Sequence, residues 1–143
     1  MRTRASAVVH FLAALLWLGC GAAGPSETEL AGTWHANKIE YISTSGLGTV
    51  DIMTLGAAIT LQLNPDKTAA FTFTRVGGHV DAMTGTWTSS ADVLTFTIGA
   101  EDSYQWDMSM NGTTLQLTQE GSSWDFNGDG VQEPAIWRTL LSK

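Results

Sequence analysis

The amino-acid sequence predicts an all-β domain: an antiparallel up-and-down meander of about eight strands that closes into a barrel. Three observations carry this. Apolar and polar residues alternate with a period of two along most of the 143 residues. Breaks rich in Gly, Asn and Asp fall between the alternating runs. Beyond the first twenty residues no long run keeps a helical period. Closure is expected because an open meander leaves unpaired edges. A two-sheet sandwich is the second arrangement the pattern allows.

The elements follow in order. Ser26 and Glu29 have the S-x-x-E spacing of a capping box, which predicts one helical turn before the first strand. Thr33 to Ser43 reads as a long strand. "ITLQLN" sets Ile59, Leu61 and Leu63 on one face and Thr60 and Gln62 on the other. "AAFTFTRV" alternates Phe71 and Phe73 with threonines, and "GTWTS", "LTFTI", "SYQWDMSM", "TLQLTQ", "SSWDF" and "PAIWRTLL" continue the pattern. Turns at 64–67, 76–79, 89–92 and 110–113 separate them. Asn111-Gly112 predicts a type I′ hairpin, in which both central residues take positive φ. Ser45 to Ala58 interrupts the rhythm. Its glycines mark a loop, while Ile52, Met53 and Leu55 give it an apolar side. It is therefore either a lid over the barrel mouth or a plug packed at the barrel end.

The N-terminus reads as a secretory signal over residues 1–19. Arg2 and Arg4 precede an apolar run, Ala5 to Leu18, that is too short to span a bilayer. Residues 20–29 form a short tether and 30–143 the barrel domain. Cys20 is the only cysteine, so no intramolecular disulfide can form. Of seven Lys and Arg, two lie in the signal, against fourteen Asp and Glu, so the chain from Cys20 carries a net charge of −9. That charge excludes nucleic acid as a partner and argues against a basic patch for anionic lipid.

Two motifs carry resemblances. "LWLGC" resembles the lipobox of bacterial lipoproteins, although Trp17 stands where that family favours leucine. The resemblance implies cleavage before Cys20, lipidation of its thiol and anchorage to a membrane. Gly21 implies sorting to the outer membrane, facing the periplasm. The second motif is Gly32-Thr33-Trp34, a G-x-W at the start of the first strand. With the meander that follows, it resembles the lipocalin-like domains of bacterial lipoproteins. Residues 30–141 are covered. The resemblance implies that Trp34 packs at the closed barrel end with Arg138 across its ring. The family's T-D-Y turn is missing, "MSMNGTT" standing in its place, and no room remains for a C-terminal helix. Gly85-Thr86-Trp87 repeats the tripeptide, too briefly to establish a repeat.

No catalytic constellation is legible. His35 follows Trp34 and faces the opposite side of the strand, and His79 sits in a Gly-Gly turn. The sequence has no HExxH, GxSxG or phosphate loop. An enzyme is the remote expectation. The aromatics say more. Trp34, Phe71, Phe73, Trp87, Phe96, Tyr104 and Trp106 fall in phase with the apolar faces. They either fill the barrel or line a pocket for one small apolar ligand.

"DFNGDGVQEPA" raises the one metal question. Asp125, Asn127, Asp129 and Glu133 hold positions 1, 3, 5 and 9 of a calcium loop, with Gly130 at the sharp turn. Position 12 is Ile136, and the flanks read as strands, with Trp124 and Trp137 suited to pair across the loop. It is a weak calcium site or a plain turn built from residues tolerant of positive φ. The expected protein is a monomeric, lipid-anchored barrel with no cofactor beyond such calcium. It binds a small apolar ligand or serves structurally in the cell envelope. A protein-interaction module, an inhibitor or assembly factor acting through its outer loops, is the alternative.

Overall fold

A computed structural model describes residues 24–100 and 102–143. Residues 1–19, read above as a signal, Cys20 with its expected lipidation, and residues 21–23 of the expected tether lie outside the described residues. The capping box forms as its spacing predicts. Ser26 Oγ accepts from Glu29 N, and the Glu29 carboxylate accepts from Ser26 N at 2.8 Å. This starts the one-turn helix α1, Glu27–Leu30. Among the described residues nine strands follow: β1 Gly32–Ser43, β2 Thr49–Asp51, β3 Ala58–Leu63, β4 Thr68–Thr74, β5 Val80–Ser90, β6 Val93–Ile98, β7 Asp102–Asn111, β8 Thr114–Trp124 and β9 Glu133–Ser142.

From β3 to β9 each strand pairs antiparallel with the next, and β9 returns to β1. Eight strands thus form a closed barrel. β2 is extra: it pairs with Glu40 to Ile42 of β1, beyond the point where β3 leaves that edge. Closure uses every strand edge of the meander, which is why the sandwich does not form. Inward residues follow the period-two reading: Trp34, Leu61, Phe71, Trp87, Leu94, Phe96, Trp106, Leu117 and Leu141 join one core.

Two local expectations are corrected. In the β7–β8 hairpin Asn111 pairs with Thr114, so the loop residues are Gly112 and Thr113. Gly112 has φ 60° and Asn111 keeps an ordinary φ. That is the II′ pattern, glycine first, in place of type I′. Asn111 completes the strand because its backbone is needed for the last rung. "TLQLTQ" and the Ser122–Trp124 part of "SSWDF" also belong to one strand, β8, re-phased by an irregularity between Gln119 and Ser122.

The Ser45–Ala58 segment is a plug in the wall rather than a lid. After β2 it makes a 3-10 turn, Ile52–Leu55, capped by the Asp51 side chain on Met53 N at 3.0 Å. The turn packs on β1, where the barrel neighbour changes from β3 to β2. Ile52 is buried in the core, Met53 is half-buried against it and Leu55 is exposed.

Candidate functional site

The two barrel ends differ in what covers their aromatic side chains. At one end lie α1, the turns at 64–67, 91–92 and 112–113, and the C-terminus. This end is filled. Trp34 and Trp87 are each 1% exposed. The Trp34 indole N–H donates to Leu30 O at 2.7 Å, and that of Trp87 to Asn64 O at 2.8 Å. A lysine lies over each ring: Lys143 Nζ is 4.6 Å from the Trp34 centroid and Lys67 Nζ 4.4 Å from that of Trp87. Lys143 also donates to Glu29 O and Ala31 O, and Lys67 pairs with Glu27. Gly85 lets β5 approach β6, since a Cβ there would sit 2.0 Å from Thr97 O.

The cation expected over Trp34 is therefore Lys143, not Arg138. The register gives the reason. Trp137 and Thr139 point inward on β9, so Arg138 between them points outward. There its Nε and Nη2 donate to one Glu40 oxygen at 2.9 and 2.6 Å, and Lys38 Nζ takes the other at 2.6 Å. Glu40 is buried beneath these two cations. Burial pushes its carboxyl up, but the hydrogen bonds and charges of Lys38 and Arg138 outweigh this and hold it below the usual value.

The other end is open. A cavity of about 590 Å³ lies among Tyr41, Ile59, Phe71, Phe73, Tyr104, Trp106 and Trp137, under a rim of Arg75, Asp81, Gln119 and Ser122. The sequence-predicted aromatic set thus divides. Trp34, Trp87 and Phe96 fill the core, while Phe71, Phe73, Tyr104 and Trp106 line the cavity. Phe71 and Trp106 lie 5.8 Å apart with 29° between their planes, and Tyr104 and Trp106 6.2 Å apart with 13°. Tyr104 is the outermost, 40% exposed. Asp81 is paired with Arg75, whose hydrogen bond holds the carboxyl below its usual range. Ile52, Met53 and Leu55 do not line this cavity.

Sequence reasoning missed Tyr41 and Trp137 as lining residues. The alternation of β9 carried the signal for Trp137, whereas that of β1 did not carry the one for Tyr41. A bulge between Ala36 and Lys38 resets the phase of β1, so counting from Trp34 misplaces Tyr41. Trp124 and Trp137 do not pair across the last loop: Trp124 opposes Glu133 and stacks on Tyr41 at 4.8 Å, and Trp137 opposes Gln119.

In the loop between β8 and β9 the carboxylates of Asp125, Asp129 and Glu133 converge within 4.8 Å of one another. Each is also engaged by backbone. Asp125 accepts from Gly128 N at 2.7 Å and Gly130 N at 2.9 Å, Asp129 from Val131 N at 2.8 Å and Glu133 from Phe126 N at 2.8 Å. Asn127 accepts from Asp129 N and donates to its carboxylate. Gly128 and Gly130 supply the left-handed positions, φ 76° and 86°.

A match to the lipocalin-like domain family spans residues 30–117, from the buried Leu30 to the middle of β8. No curated protein matches the chain. The match covers the G-x-W strand, the wall plug and six of the eight barrel strands in full, and the fold closes as that family's does. The chain belongs to the lipocalin-like domain family.

Proposed function

We propose that this protein binds a small, largely apolar ligand in the barrel mouth, without chemistry of its own. The observation that carries this is the aromatic-lined cavity of about 590 Å³ at the open end of the barrel. Its size suits a single small molecule, and its few polar groups gather at the rim, as orienting groups do. Among the described lining residues Asp81 is the one carboxylate, and it is occupied by Arg75, which leaves no free acid among them for general acid-base work. Native mass spectrometry of protein purified without denaturation should show a bound small molecule. Met83→Trp, which drives an indole into the cavity, should remove it. Protein that carries no such molecule and gives no saturable signal with apolar probes would overturn the proposal.

Export and lipid anchorage through Cys20 to the outer membrane are part of the same reading. Gly24 packs tightly against Ala91 at the filled end. The tether therefore joins the end opposite the mouth, and an anchored barrel presents its cavity away from the membrane. Loss of membrane retention in Cys20→Ala tests this.

One observation favours a second reading, a protein-interaction module. Among the described residues the exposed large apolar side chains are Leu47, Leu55, Val76, Val80, Tyr104 and Val131. All sit on the mouth side, in its loops or on the strand ends beside them. Such a crown suits a partner seated over the opening. Polar replacement of Leu47, Val76 and Val131 would then abolish partner capture while leaving small-molecule binding intact.

A further inference from the structure

We infer that the mouth cavity selects a flat aromatic molecule over a flexible acyl chain. This rests on the ligand-binding reading above and narrows the ligand class. Three lining rings, Phe71, Trp106 and Tyr104, have nearly parallel planes, at 29° and 13° to Trp106. They descend from the 40% exposed Tyr104 to Trp106 and Phe71, which are almost fully buried. A flat ring inserted parallel to Trp106 lies within 29° of all three, from rim to floor. Offset stacking of that kind adds to the area buried, and only a planar partner gains it.

The rest of the lining agrees. Tyr41 and Trp137 add two more rings, while the large aliphatic side chains are Ile59, Val80 and Met83, of which Val80 is mostly exposed at the rim. A flexible chain gains no stacking here and loses rotamer freedom on ordering. Arg75, Gln119 and Ser122 at the rim offer donors to one polar substituent on the flat ligand. Arg75 already shares its charge with Asp81, so an anionic group gains hydrogen bonds there more than net charge.

The test compares two monocarboxylates, 9-anthracenecarboxylate and dodecanoate, by calorimetry and quenching of tryptophan fluorescence in the purified full chain. The flat probe should bind roughly tenfold more tightly. Trp106→Leu should weaken the flat probe by about tenfold and dodecanoate by less, so that the preference between them shrinks. Tyr104→Leu, at the most exposed ring of the three, should weaken the flat probe about threefold and serves if Trp106→Leu does not fold. Equal binding of both probes, tighter binding of dodecanoate, or an unchanged preference in both variants would overturn this inference and leave the cavity as a ligand site. Binding of neither probe by protein that also carries no co-purified molecule would overturn both readings.

Discussion

The two barrel ends are built from the same residue types and do different things. At the filled end Trp34 and Trp87 each give the indole N–H to a backbone carbonyl and the ring face to a lysine. Nothing is left for a ligand to satisfy. At the mouth Phe71, Tyr104, Trp106 and Trp137 meet a cavity instead of a cap. Aromatic content alone therefore separates neither role. What separates them is whether a helix, a turn and a cation close over the rings. The two Gly-Thr-Trp tripeptides make the point, because both fall at the filled end and both acquire the same cover.

The largest effect should expose that contrast directly. Trp34→Ala is expected to cost about 3–5 kcal/mol, since it opens a cavity in a site with no room to relax. That is a large share of the roughly 5–15 kcal/mol that holds a domain together. Trp106→Ala should cost clearly less, because its surroundings are already open on one side. Urea denaturation of both variants measures the difference. Equal losses would mean that the mouth is as much a structural core as the filled end.

The wall between the ends comes next. Arg138→Ala removes two charge-assisted hydrogen bonds from buried Glu40 and should cost about 1.5–3 kcal/mol at neutral pH. Glu40 has a depressed folded-state pKa, so its contribution is complete above the unfolded value and is lost as pH falls through the folded one. Stability of the native protein should accordingly fall below about pH 4.5. Glu40→Gln should flatten that acid limb. Melting temperature against pH checks both.

A smaller effect sharpens the account of the caps. Lys143→Met keeps the stem over Trp34 but removes the cation and its bonds to Glu29 O and Ala31 O. The expected loss is about 0.5–1 kcal/mol, read from thermal melts. Ligand binding at the mouth should be unchanged. A changed affinity would mean that the two ends communicate.

Much of this architecture was legible in the sequence, for a physical reason. Period-two burial and turn chemistry are local, so the capping box, the strands and the closed meander could be read from adjacent residues. The misses arise where distance in sequence decides. Arg138 was placed by family resemblance, whereas its own neighbour Trp137 fixes it outside. Lys143 covers Trp34 from the far end of the chain. Tyr41 follows a bulge that no local pattern announces. The aromatic set was found, but its division between core and cavity depends on which turns and termini cover each end.

The last loop offers the smallest effect and the finest test, because it lies at the mouth end yet is held the way the filled end is held. Its carboxylates accept backbone N–H groups, as the indoles there donate to backbone carbonyls. Three converging acids also suit a cation, so the two explanations must be separated by their dependence on calcium. If the backbone network is sufficient, Asp125→Ala should cost about 0.5–1.5 kcal/mol whether or not calcium is present. Native protein should then melt at the same temperature in chelator and in millimolar calcium. A site tenfold too weak to fill at that concentration would add less than about 0.1 kcal/mol. A saturable rise in melting temperature that Asp125→Ala abolishes would instead mean that the convergence of Asp125, Asp129 and Glu133 serves an ion. The loop would then belong with the open end in function as well as in position.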